Sequence, residues 1–263
     1  MRYGVSIPPF TDAARVVGWT RRAEESGWDG VFVWDHVQWS AAAAPLDPWV
    51  VLGALAQVTD RVRLGTMVTP LSRRRPHVVA KQLTTLDHLS GGRAVLGVGL
   101  GEPVDRDFAD LGEEADPRVR ARMLDEALEV IDALMRGPVD HVGGHYRVMG
   151  DFRPRPVQRP RPPVWVAGVA PHRRPLARAR RWDGVAPVGG ADFLTPDELA
   201  AYLALDGEQS PPGWDVVVHQ KPGVPAQEYA DAGATWLMRS VFPARAGWEA
   251  ELDDVVSGAP GGE

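Results

Sequence analysis

Short apolar runs alternate with longer stretches of helical periodicity along most of this chain. The runs fall at residues 2–7 and 30–34, from Val62 into Thr69, into Gly97-Val98-Gly99, and at 164–167, 184–187, 214–218 and 235–239. This alternation of strand-like and helix-like segments is the pattern of an α/β fold with a parallel sheet. Between them, Asp12 opens a helical stretch that Gly27 closes, and Asp47-Pro48 opens one that runs to residue 59. Pro76 opens another, in which Leu83, Leu86 and Leu89 recur before Gly91-Gly92. Asp116-Pro117 starts the longest helix, where Leu124, Ala127, Leu128, Ile131 and Leu134 form one stripe before Gly137-Pro138 stops it. Shorter helices are expected at 176–181, after Thr195-Pro196, and at 225–232.

The stretch 62–102 holds one complete strand-helix-strand unit, with a turn of Arg73, Arg74 and Arg75 after its first strand. A crossover of that length makes the two strands parallel, so their last residues open on one edge. Those residues, Gly65 to Thr69 and Gly97 to Glu102, are poor in side chain, as a planar cofactor lying against backbone requires. Eight strands with intervening helices predict a (β/α)8 TIM barrel, as a single domain over 1–256. An open doubly wound sheet is the alternative, although Gly97, Gly99 and Gly101 do not complete the dinucleotide fingerprint. Residues 139–163, rich in Pro, Arg and Gly, predict an excursion with a small hairpin around Gly143-Gly144, and the tail 257–263 is expected to be disordered.

Composition narrows the function. With no cysteine there is no disulfide, thiolate metal site or cysteine nucleophile, and the absence fits a reducing cytoplasm. No run reaches the length of a membrane span, and the N-terminus has no long apolar segment, so an intracellular location away from the membrane is expected. A net charge of −6 argues against nucleic-acid binding.

In barrels the active site sits where the strands end, so residues just after each strand form one candidate mouth. Asp35-His36 puts a carboxylate beside an imidazole that can move a proton near neutral pH; the other reading is a loop cap and a histidine bonded to backbone. Glu102, directly after the glycines, is a general acid if burial raises its pKa and otherwise a solvated loop residue. Arg73 to Arg75 read as a clamp for an anionic ligand tail or as a solvated face. Asp35, His36 and His219 also leave a metal hydrolase open as a remote reading.

Together these strand ends resemble the luciferase-like monooxygenase superfamily of flavin- or deazaflavin-dependent TIM-barrel oxidoreductases. The resemblance runs from RYGVSIP through GWDGVFVWDH, VRLGTMVTP, LDHLSGGRAVLGVGLGE and PPVWVAG to WDGVAP, the LDHLSGGR stretch being its most specific part. It implies a cis peptide at Met67-Val68, beside Thr66, pressed against the cofactor's central ring, with Gly99 and Gly101 close by. It also implies a phosphate loop at Gly168, Val169 and Ala170, whose usual hydroxylated residues are replaced here by Pro171, His172 and Arg173. By resemblance to the branch that uses coenzyme F420, His36 is the substrate acid/base, Asp35 its orienter and Glu102 the proton donor or acceptor at the ring. Trp39 stands one residue early for its counterpart. F420-dependent hydride transfer with a small organic substrate is the leading expectation, and an FMN-dependent monooxygenase the alternative. The resemblance also implies a homodimer, for which Trp19, Trp28, Trp49 and Trp182 on or beside the outer helices offer a motive, with the second and third helices as the contact surface.

Overall fold

The computed structural model describes residues 1–40, 43–190 and 192–261. In order, the chain forms β1 (Arg2–Ile7), α1 (Ala13–Glu25), β2 (Gly30–Val33), α2 (Pro48–Ala56), β3 (Arg63–Pro70), α3 (Pro76–Leu89) and β4 (Ala94–Gly99). A one-turn helix, α4 (Val104–Asp107), precedes the long α5 (Pro117–Arg136) and the hairpin β5 (Pro138–Val142) and β6 (Arg147–Asp151). The rest is β7 (Val164–Val169), α6 (Arg173–Ala179), β8 (Gly184–Val188), α7 (Pro196–Leu203), β9 (Asp215–His219), α8 (Ala226–Asp231), β10 (Trp236–Ser240) and α9 (Trp248–Ser257).

Eight of these strands, β1-β2-β3-β4-β7-β8-β9-β10, pair in parallel and close into a barrel, while β5 and β6 pair only with each other. The expected (β/α)8 fold is therefore present, and the excursion at 139–163 contains the hairpin. The helices start where local chemistry starts them: Asp12, Asp47 and Asp116 each accept a backbone N–H of the first turn. Thr195 and Glu198 form a reciprocal cap on α7. The terminal helix α9 has no counterpart in the expected pattern; its only buried residues are Leu252 and Val256, set among acidic residues.

The interior divides into two layers. Between sheet and helices lies the large apolar layer that includes Val5, Leu52, Leu83, Leu96, Ile131 and Val218. Inside the barrel, Phe32, Met67, Val95, Trp165, Val217, Trp236 and Met238 fill the bore. The Phe32 ring lies 5.1 Å from Trp165 and 5.9 Å from Trp236, centroid to centroid. The bore is a packed core, so a ligand can enter only at the mouth where the strands end.

The tryptophans that motivate a dimer are largely spent inside the chain: Trp19, Trp28 and Trp49 are buried, and Trp19 donates to Asp253 of α9 at 2.7 Å. Of the tail expected to be disordered, Ser257 is the last residue of α9, and residues 262–263 lie outside the described residues.

Candidate active site

β2 ends at Val33, and the next residues turn over the mouth. Asp35 is buried, and its carboxylate is surrounded by donors: Arg73 at 3.0 Å, Arg74 at 2.7 Å and the Thr69 hydroxyl at 2.9 Å. Arg73 also donates to the Asp35 carbonyl at 2.9 Å. This corrects two expectations at once. Arg73 and Arg74 form neither an anion clamp nor a solvated face, because a buried carboxylate needs cations beside it and these two supply them. Asp35, drawn toward β3, is not what orients His36.

That part belongs to Asp107, on α4. Its Oδ2 lies 3.2 Å from His36 Nδ1, and its Oδ1 accepts the backbone N–H of Val37 at 2.8 Å and of Gln38 at 3.0 Å. Burial pushes the Asp107 carboxyl up, but the hydrogen bonds from His36 and Gln38, the Arg73 guanidinium and the Val37 N–H outweigh it and hold its pKa below the usual carboxylate range. An ionised carboxylate on Nδ1 fixes the ring and leaves Nε2 for chemistry. Trp39 packs edge-on against His36 at 4.7 Å, with Trp34 at 6.0 Å and Phe10 at 5.9 Å. Sequence reasoning missed Asp107 because it sits among Asp105, Arg106 and Asp110, a charge run that reads as solvated. Within that run the structure buries Asp107 and Phe108, which no local pattern marks.

Across the mouth, β3 is irregular: the Met67–Val68 peptide is cis, and the β3–β4 register shifts between Thr66 and Thr69. The bare positions of β4 serve this irregularity. A Cβ on Gly97 would stand 2.2 Å from the Thr66 carbonyl oxygen, and one on Gly99 would stand 2.8 Å from a Val68 methyl. Thr66 is buried with its hydroxyl donating to Gly97 O at 3.0 Å, so it locks the two strands and turns no side chain to the mouth. Gly101 has φ +81°, and Pro70 and Phe108 occupy the space of a Cβ. Buried Arg120 of α5 donates to the carbonyls of Leu100 and Gly101 at 2.9 and 3.1 Å, and its guanidinium lies 4.4 Å from the Phe108 ring. Glu102 follows on the rim, exposed, with Oε2 accepting the Val104 N–H at 3.2 Å.

At the expected phosphate loop, Gly168 is bare because Pro175 lies against it, 2.0 Å from where a Cβ would be. The Ala170 N–H is taken by Val188 O at 2.9 Å and the His172 N–H by Val169 O at 3.1 Å, so these donors are not free for an anion. Val169 lines the mouth itself.

A cavity of about 610 Å³ opens among these strand ends, bordered by Met67, Glu102 and Val169 on one side and by Trp34, His219 and Phe242 on the other. That volume lies within the range of about 300–1,000 Å³ usual for small-molecule and cofactor sites. Its border by the β3 bend, the Glu102 rim and the end of β7 suits a flat ring system. Among the described residues no cluster of His, Asp or Glu is arranged to hold a metal ion. Asp35, committed to its arginines, cannot join His36 and His219 in one.

A barrel packed through its bore, with a carboxylate-held imidazole and a cavity at the strand ends, defines a TIM barrel with a candidate site at its mouth. The luciferase-like monooxygenase profile matches residues 1–205, and the chain belongs to that family. The F420-dependent glucose-6-phosphate dehydrogenase of Beutenbergia cavernae is 42% identical over 137 residues, covering 50% of this chain and 40% of that protein. Its counterpart in Microbacterium testaceum is 37% identical over 177 residues, 65% of this chain and 51% of its own. The matches thus span about half the length of these relatives. In structure, the coenzyme F420-dependent tetrahydromethanopterin reductase of Methanopyrus kandleri superposes with a TM-score of 0.77 at 18% identity, over 97% of both chains.

Proposed function

We propose that this protein is an oxidoreductase that uses coenzyme F420 to move a hydride to or from a small organic substrate. The observation that carries the reading is the His36–Asp107 pair, an imidazole with one nitrogen held by an ionised carboxylate, which packs behind Trp34 at the border of a cavity of cofactor size. The F420 dependence named for the two similar dehydrogenases supports the choice of cofactor.

When bound, F420 supplies a two-electron hydride carrier. Met67, Val68, Gly99, Gly101 and Val169 would hold its ring and the adjoining tail along the β3, β4 and β7 ends, with Gly168 and Ala170 shaping that edge. His36 takes the proton from a substrate hydroxyl through Nε2 in oxidation, or returns it to a carbonyl oxygen in reduction, while Asp107 stabilises the imidazolium. Glu102, whose carboxylate borders the cavity, would hold or release a proton for the bound cofactor. Trp39, Trp34 and Phe10 exclude water from one side of His36.

Titrating the protein separately with F420 and with FMN tests the reading. Saturable F420 binding with weaker FMN binding is expected; tight FMN binding with none of F420 replaces it with an FMN-dependent monooxygenase.

A homodimer and a cytoplasmic location belong to the same proposal. With Trp19, Trp28 and Trp49 buried and Trp182 half-buried, support for contact through α2 and α3 comes from Val50, Val78 and Leu89, apolar residues exposed by 75, 44 and 45% on those helices. A light-scattering mass near 28.6 kDa across micromolar concentrations would contradict the dimer.

A further inference from the structure

The half of the mouth opposite β3 and β4 carries a second, differently built histidine. His219 ends β9, and its Nδ1 lies 2.7 Å from the hydroxyl of Ser240, the last residue of β10. Ser6 of neighbouring β1 accepts from Trp34 Nε1 at 2.8 Å. His219, Ser240, Ser6 and Trp34 all border the cavity. From Trp34 an aromatic wall runs to Phe242 at 5.5 Å, on to Phe193 at 5.9 Å, and ends with Phe193 stacked on His219 at 6.1 Å and 21°. Trp34 also touches His36, so the two histidines stand at opposite ends of one aromatic surface.

They differ in charge. No carboxylate contacts His219, and burial pulls its imidazole down to about 4, leaving it neutral near pH 7. Its Nε2 has no hydrogen-bond partner among the described residues. The charged groups nearby do not favour an anion: Glu102 borders the same cavity, Lys221 is paired with Asp192 at 2.6 Å, and Arg245 is exposed at the rim.

We propose that His219 and Ser240 form an anchoring site for an uncharged substrate oxygen, a hydroxyl or carbonyl, carried on an apolar planar body that lies along Trp34, Phe242 and Phe193. This rests on the function proposed above and deepens it: one end of the substrate is held at His219, and its body runs along the wall to Trp34, the neighbour of His36. Ser240 fixes the His219 ring, so Nε2 meets the oxygen in one orientation whichever tautomer is present. A sugar phosphate would instead call for a cluster of unpaired cations.

The test is an NMR titration of the full chain, with and without F420, using 1-phenylethanol, ethylbenzene, benzoate and glucose 6-phosphate as probes. 1-Phenylethanol is expected to bind saturably, ethylbenzene about tenfold more weakly for want of the hydrogen bond, and the two anions more weakly than the alcohol. His219→Phe keeps an aromatic ring on the wall and is expected to abolish the preference for the alcohol over ethylbenzene. Ser240→Ala, a milder change that keeps the imidazole, is expected to reduce that preference in part. Equal binding of alcohol and hydrocarbon by the unaltered protein would overturn the proposal, as would an undiminished preference in a folded His219→Phe. Tighter binding of benzoate or glucose 6-phosphate would do the same and would assign the cavity to an anion at Arg245. If F420 fails to bind while the alcohol preference persists and depends on His219, the anchoring site stands and the hydride-transfer reading falls.

Discussion

His36 Nδ1 and Asp107 Oδ2 lie 3.2 Å apart although 71 positions separate them in sequence. The contact exists because β2 and β4 open on the same edge of the barrel, with Asp107 on the short helix that follows β4. The same carboxylate takes two backbone N–H groups beyond His36, so it holds both the loop and the ring.

Replacing Asp107 with Asn keeps the shape and removes the charge that stabilises the imidazolium. Turnover with F420 is expected to fall by about 10²-fold, the scale of a disabled general acid–base pair. The dissociation constant for F420 should stay close to that of the unaltered protein, because Asp107 borders the histidine and not the β3 bend. Equal losses in kcat and in cofactor affinity would instead show that Asp107 shapes the whole mouth.

Asp35 makes the opposite prediction. With its carboxylate buried against Arg73, Arg74 and Thr69, Asp35→Leu removes the nearest anion of two largely buried guanidinium groups, leaving Arg73 with Asp107 at 3.4 Å and Arg74 with Asp47 at 3.5 Å. Stability is expected to drop by about 3–5 kcal/mol, read from a urea midpoint. A loss below about 1 kcal/mol, in the range of an exposed ion pair, would refute the structural role given to this residue.

How far these roles could be read beforehand follows from what each residue touches. Successive apolar residues, Asp-Pro helix starts and Gly-Gly stops are local signals, and they gave the barrel, the long α5 and the hairpin near their observed places. Side-chain partners are not local. Asp35 and His36 are neighbours in sequence, yet one turns to the arginines after β3 and the other to Asp107. The glycines of β4 are legible in the sequence as unusual, but not the bend in β3 that fills the space of the missing side chains of Gly97 and Gly99. Asp107 was hidden because its neighbours Asp105, Arg106 and Asp110 face water, and nothing in a run of charges marks which member points inward.

Glu102 separates activity from stability. Exposed on the rim, it can become Gln with little effect on folding, within about 0.5 kcal/mol. If it handles a proton at the cofactor ring, F420 turnover should still fall by about 10²-fold. Unchanged turnover in Glu102→Gln would return this residue to the reading of a solvated loop carboxylate.

The neutral state of His219 sets an acid limb in the stability curve. Its pKa is about 4 in the folded protein, against about 6.5 in an unfolded chain. Between those values the unfolded chain binds the proton and the folded one does not, so stability rises with pH across this window. The contribution is fully present above about pH 6.5 and is lost as the pH falls toward 4. The lowered pKa of Asp107 acts further down, below the ordinary carboxylate value of 3.8, so the two effects separate on the pH axis. Thermal melts from pH 7 to pH 4.5 should therefore show a decline that His219→Gln, which takes up no proton, makes shallower. If the variant and the unaltered protein lose the same number of degrees over that interval, His219 is not held neutral by its surroundings.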